Sequence, residues 1–214
     1  MRAKVIYVVR SPERRDSVAC LLAGSPCWCA TSNTLEQITR LQDELTQAGH
    51  RFHGLVPLDR LRRLFRRAQA LSRNRGARSS WRAVDISCYS LLALSQAFRP
   101  LLDPDALGRR PVDFDHAYGQ RKNYGYMAPI KAALDSSLAF LAKSFSRFSR
   151  IPSMPSARGL LKTSASAGTA FLGYVDSYLY AEQVIPRKAA VTTAEAAQVA
   201  LFLLSPRSSG INAR

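Results

Sequence analysis

Tyr124 and Lys131 stand seven residues apart in Asn123-Tyr124-Gly125-Tyr126-Met127-Ala128-Pro129-Ile130-Lys131. Seven residues are two helical turns, so a phenol and an ammonium placed this way share one face of a helix. The cation favours the phenolate and sharpens the phenol as a proton donor toward a developing oxyanion. The same ammonium carries three donors that suit a sugar diol. Spacing alone also fits two surface residues that share a face, and by itself it favours that plainer reading.

Other chemistry-bearing patterns are thinner. Cys27-Trp28-Cys29 is a C-x-C without a second pair, and His50 and His53 lie outside finger spacing. Cys20, Cys27, Cys29 and Cys88 therefore make no metal framework and read as free thiols of a reducing compartment. The chain carries 31 basic against 15 acidic residues, a net charge of +16, and 25 of the basic residues are Arg. Such a balance invites phosphate partners. Yet nine Arg against Asp59 alone fall within residues 57–83, where Phe65 and Trp81 are the only large aromatics for stacking bases. An arginine-rich nucleic-acid module is accordingly the rival reading, and no specific nucleic acid is expected.

The elements that must position Tyr124 and Lys131 follow from periodicity. Lys4 to Val9 is a β-branched and aromatic run, a buried-strand pattern. Ser11 to Leu22 reads as helix. Residues 34–48 read as a better one, with Leu35, Ile38, Leu41 and Leu45 on one face, Thr34 and Gln37 as a capping box, and Gly49 at the C-cap. Phe52 to Val56 begins a second strand. Val84 to Phe98 is a helix closed by Pro100, and Tyr126 to Phe148 is a long helix with Ile130, Leu134, Leu138 and Leu141 on its apolar stripe. Residues 57–83 and 104–122 are irregular, and Ile151 to Arg158 reads as loop. Phe171 to Gln183 and Thr193 to Leu204 complete the helices, Thr193 serving as cap. Strands alternating with helices make an α/β layer fold. At 214 residues the chain is one domain, 1–214, with no apolar run long enough to span a membrane and too short an apolar start for a signal peptide. It reads as cytoplasmic.

Tyr124, Met127 and Lys131, as Tyr-x2-Met-x3-Lys, resemble the active-site helix of NADH-dependent enoyl acyl-carrier-protein reductases, divergent short-chain dehydrogenases. Asp85-Ile86-Ser87-Cys88-Tyr89-Ser90 is similar to the Asp-Ile-Ser-x-Tyr-Ser of the preceding helix. Gly159-Leu160-Leu161-Lys162-Thr163 is similar to the family's Gly-Pro-Ile-x-Thr cofactor loop, with Leu160 in place of the proline. Val191 to Glu195, Phe202 to Leu204 and Ser208 to Ile211 look like its closing helix and loop. The resemblance implies a Rossmann-like, doubly wound parallel sheet and hydride transfer from NADH to the β-carbon of a trans-2-enoyl thioester on acyl carrier protein, in fatty acid biosynthesis. It implies that Tyr124 binds the thioester oxygen, that Lys131 holds the nicotinamide ribose, that Leu161 and Thr163 contact the cofactor, and that Met127 lines the acyl pocket. It also implies a homo-oligomer, a tetramer in the family.

The sheet is expected to be incomplete. Lys4 to Val9 resembles the family's second strand, so a first strand and its Gly-rich pyrophosphate turn, which such a fold needs, are not found within 1–214, nor is the last strand. Strands five and six are expected to be replaced by Arg109-Arg110-Pro111 and by Pro152 to Arg158, and the family's second active-site tyrosine falls at Phe114. With chosen codons, Pro26–Thr31, Leu58–Arg63 and Ser153–Gly159 each yield family strings when read one or two bases on. The alternative function is therefore a truncated or frameshifted derivative of that enzyme, catalytically inactive and without a competent NADH site.

Overall fold

The computed structural model describes residues 4–9, 11–22, 24–30, 34–57, 77–103, 112–116, 127–149, 153–157, 161 and 174–212. Among the described residues three parallel pairings, each closed over helix, give the α/β architecture. Strand β1 (Tyr7–Val9) and strand β2 (Cys27–Cys29) pair in parallel, Val8 opposite Trp28, across helix α1 (Pro12–Leu21). Phe52 meets Leu102 in a parallel bridge. Strand β3 (Val112–His116) pairs in parallel with strand β4 (Met154–Ala157) across helix α5 (Met127–Phe145). Parallel strands need such crossovers, because no tight turn can reverse the chain direction between them.

Helix α2 (Leu35–Gln47) starts where Thr34 accepts the Gln37 N–H and stops at Gly49, whose φ of +70° suits a residue without a Cβ. Ile38, Leu41 and Leu45 are buried as their spacing requires. Leu35 is not: at the first helical position it stays 59% exposed. They pack on Ala93 and Phe98 of helix α4 (Ser90–Phe98) and on Leu101, with Ile6, Trp28 and Phe52 at the margin. A tilted or edge-on aromatic run, Trp28–His50–Phe52–Phe98, has centroids 5.4, 6.3 and 6.0 Å apart. These are the separations aromatic pairs prefer.

The other face of the core joins the helix before α4 to α5. Helix α3 (Ala77–Val84) runs into a π turn at Asp85–Tyr89 and then into α4, a continuous helical rod. Ala83, Ile86, Cys88 and Leu91 of this rod pack on Ile130, Leu134 and Leu138 of α5. Burying each such Leu is worth about 1.5–3 kcal/mol. Pro129 falls in the first turn of α5, where its missing N–H costs no helical bond. Leu141, placed on this stripe by the periodicity, is only half-buried and packs on Phe145 and Leu102 instead.

Three segments differ from the sequence reading. Cys27–Cys29 and Met154–Ala157 are strands, and Val112–His116 lies in the stretch 104–122 that shows no period. Asp113, Asp115, Pro155 and Ser156 carry no strand propensity, so pairing with a partner, not local preference, fixes these segments. The register slips between Asp113 and His116, beside Pro155, which has no N–H to give the ladder. Phe52 and Leu55 form isolated bridges where a continuous strand is expected over Phe52–Val56. Residues 58–76, the heart of the arginine cluster, lie outside the described residues.

Two helices close the chain. Helix α6 (Tyr174–Val184) and helix α7 (Thr193–Leu203) are joined by a turn in which Lys188 takes φ +53° and its ammonium donates to the Gln183 carbonyl. The cap of α7 is Thr192, one residue before the Thr193 read from the sequence. Thr192 and Glu195 form a reciprocal capping box: Glu195 N–H donates to Thr192 Oγ1 at 3.2 Å, and Thr192 N–H donates to Glu195 Oε2 at 2.7 Å. No helix among the described residues is long and apolar enough to cross a membrane.

Candidate active site on helix α5

Lys131 sits at the fifth position of α5 and is only 7% exposed. A lysine is seldom buried to this degree unless its ammonium is used. Its place follows from helical geometry: Lys131, Leu134 and Leu138 fall on one stripe, and both leucines are buried against the rod formed by α3, the π turn and α4. The apolar seam therefore draws the lysine inward with it.

Sites read from the sequence divide into those the structure places and those it does not describe. Lys131 is buried in α5, and Leu161 is buried as well. Met127 opens α5, its side chain lying outside the described residues, as do Tyr124 and Thr163 entirely. Phe114 lies on the backbone of β3.

The hexad Asp85–Ser90 was notable in sequence only as a matching string; the structure gives it a shape. Its residues Asp85–Tyr89 form the π turn, and the Ser90 N–H donates to Asp85 O, five residues back. The Ile86 carbonyl receives the Ser90 hydroxyl at 2.7 Å. Cys88 Sγ lies 3.8 Å from Ser137 Oγ on α5, and Ser137 Oγ in turn donates to Ala133 O at 2.8 Å. π turns are rare and concentrate at functional sites. Nothing in hydrophobic periodicity announces one, because a single inserted residue blurs the period it interrupts.

All four cysteines are free thiols, and among the described residues no three His, Cys, Asp or Glu side chains gather as a metal site. A shallow groove on the outer face of α2, lined by residues such as Glu36, Arg40 and Asp43, lies on a different element from Lys131.

The protein family described as enoyl-(acyl carrier protein) reductase matches residues 3–214 of the chain, the irregular stretches 57–83 and 104–122 included. The chain is 34% identical over 132 residues to the NADH-dependent enoyl-(acyl-carrier-protein) reductase of Nostoc sp., a match covering 60% of this chain and 48% of that protein. It is 33% identical over 129 residues to the corresponding protein of Neisseria meningitidis serogroup B, with the same coverages. The matches thus span about half the length of these relatives. Among solved structures, the enoyl-(acyl-carrier-protein) reductase of Aquifex aeolicus superposes with a TM-score of 0.82 at 22% identity, over 99% of this chain and 82% of that one. The FabI–NADH complex of Alistipes finegoldii gives 0.84 at 19% identity, over 99% and 75%. These likenesses fix the fold as an incomplete Rossmann-like parallel α/β fold. They do not favour the frameshifted derivative, since both the family match and the superpositions run through the segments that reading sets aside. The chain belongs to the enoyl-(acyl-carrier-protein) reductase family.

Proposed function

We propose that this chain, as a single domain over 1–214, reduces the double bond of a trans-2-enoyl thioester carried on acyl carrier protein, with NADH as reductant, in fatty acid biosynthesis. The observation that carries the reading is the burial of Lys131 on the stripe of α5 that packs against the Asp85–Ser90 turn. A buried ammonium with three donors suits the vicinal hydroxyls of a nicotinamide ribose. The groups that would hold the cofactor are Lys131, Leu161 and Thr163. When bound, NADH supplies a hydride to the β-carbon while the electron pair of the double bond moves onto the thioester oxygen, and proton uptake at the α-carbon completes the saturated product. Tyr124 donates a hydrogen bond to that oxygen as its charge grows, and Lys131 keeps the local field positive. Met127 lines the acyl pocket.

Assembly with further copies of the chain belongs to the same reading. Trp81 on α3, Tyr89 in the π turn and Phe140 on α5 are 73%, 46% and 71% exposed. Exposed large apolar side chains on these elements favour a protein partner over water.

The test is direct. Purified 1–214 is expected to bind NADH saturably and to oxidise it only when a trans-2-enoyl thioester is present. Tyr124→Phe and Lys131→Ala are each expected to lower kcat/KM by roughly 100-fold or more, the usual cost of removing an oxyanion donor or its electrostatic support. Folded protein that neither binds nor oxidises NADH would overturn the proposal and return the inactive derivative.

A further inference from the structure

We infer that Ser90 is a positioning residue for Lys131, acting by holding the π turn open. The inference deepens the reductase reading and, for its kinetic arm, rests on it. In an α-helix the Ser90 N–H would donate to Ile86 O; here it donates one residue further back, to Asp85 O. The Ile86 carbonyl is held instead by Ser90 Oγ, 2.7 Å away and buried. A serine hydroxyl that bonds four residues back inside a helix is known to bend it. In this rod the same bond supplies a partner to a carbonyl that the wide turn has displaced from its usual donor.

The consequence reaches α5 through contacts already described. The wide turn brings residues five apart, Ala83 with Cys88 and Ile86 with Leu91, into one cluster with Ile130, Leu134 and Leu138. Regular α spacing sets residues five apart about 140° from each other, on different faces. Cys88 Sγ also meets Ser137 Oγ at 3.8 Å. If the turn relaxed to α geometry, Cys88 would rotate away from α5 and the stripe that carries Lys131 would lose its seat. Ser90 touches neither substrate nor cofactor; it sets the depth of a residue that does.

The experiment compares the full chain with Ser90→Ala and Ser90→Thr, acylating amines under native conditions and reading each lysine by peptide mass spectrometry. In S90A, Lys131 is expected to be modified roughly tenfold faster, the scale of a lost buried hydrogen bond expressed as local opening. Exposed Lys143 on the same helix is the control and is expected to keep its rate. S90T retains a hydroxyl able to reach Ile86 O and is expected to restore the parental rate. In the kinetic arm, S90A is expected to lower kcat and raise the KM for NADH, with S90T again restoring both. An unchanged Lys131 rate in S90A, equal acceleration of Lys131 and Lys143, or no rescue by S90T would each overturn the inference. A parent chain without reductase activity would overturn the reductase reading while the labelling comparison still decides the role of Ser90. Should S90A lose helix content, Ser90→Cys, of similar volume but a weak donor, carries the same comparison.

Discussion

The seam between the α3–α4 rod and α5, and the joint between α6 and α7, hold their helices together by opposite means. The seam is apolar: Ala83, Ile86, Leu91, Ile130, Leu134 and Leu138 are all buried, and beside them the Ser90 hydroxyl holds the Ile86 carbonyl. The joint is polar and open to water. Arg187 grips Glu195 with two parallel bonds of 2.6 and 3.0 Å, donates to the carbonyls of Ala189 and Ala190, and so backs the Thr192–Glu195 capping box. The contrast separates two tasks. Burial fixes how far a side chain such as Lys131 sits from solvent, whereas a charged clamp fixes where the chain turns and leaves that turn sensitive to pH.

Breaking the seam is expected to have the largest effect. Leu138→Ala removes a side chain that is almost wholly buried, and a loss of about 2–5 kcal/mol in urea unfolding is expected. A smaller loss would mean that the rod and α5 close over the gap, and that the seam is softer than its packing suggests. Thr192→Ala at the joint removes a cap and is expected to cost about 1 kcal/mol by the same measurement.

The comparison sharpens in acid. Hydrogen bonds from Arg187, then from the backbone and side chain of Thr192, lower the Glu195 carboxyl from its ordinary value of 4.5 to about 2. A carboxyl depressed by folding contributes stability that is complete above about 4.5 and is lost progressively as pH falls toward 2. Glu195→Gln is expected to flatten the fall of Tm across that window and to leave the slope above pH 5 unchanged, as followed by circular dichroism. An identical acid limb in E195Q would remove the joint from the pH response. The smallest effect is expected from Arg40→Ala, whose bond to Glu44 at 3.0 Å is a solvent-facing pair one helical turn apart, and no resolvable change in unfolding midpoint should follow.

What could be read in the sequence tracks how local the cause is. Helix α2 was legible because Thr34, the leucine spacing and Gly49 all act within one segment. The buried stripe of α5 was legible for the same reason. Strands β3 and β4 were not, since Asp113, Asp115 and Pro155 oppose the conformation that their mutual pairing imposes. Thr192 and Thr193 are chemically alike, so only the reciprocal bonds with Glu195 choose between them. Of the candidate site, residue types and order were legible at Tyr124, Met127, Lys131, Leu161 and Thr163, but depth was not. The stripe of α5 carries Lys131 inward, but the surface it packs on contains a π turn, and a π turn is an insertion that composition does not mark.

The parallel pairings also impose an order in time. As the chain leaves the ribosome, β1 can find β2 once α1 has been made, early and over a short loop. Phe52 must wait for Leu102, with the whole α3–α4 rod between them, and β3 must wait until all of α5 has emerged before β4 exists. Contacts so distant along the chain are paid for in loop entropy before they return anything, and they form slowly. Among the described residues β4 is the strand that pairs with β3, so until β4 arrives that edge of β3 is open to another nascent strand nearby. The helix that carries Lys131 is thus also an interval during which β3 waits for β4 and can pair with the wrong chain.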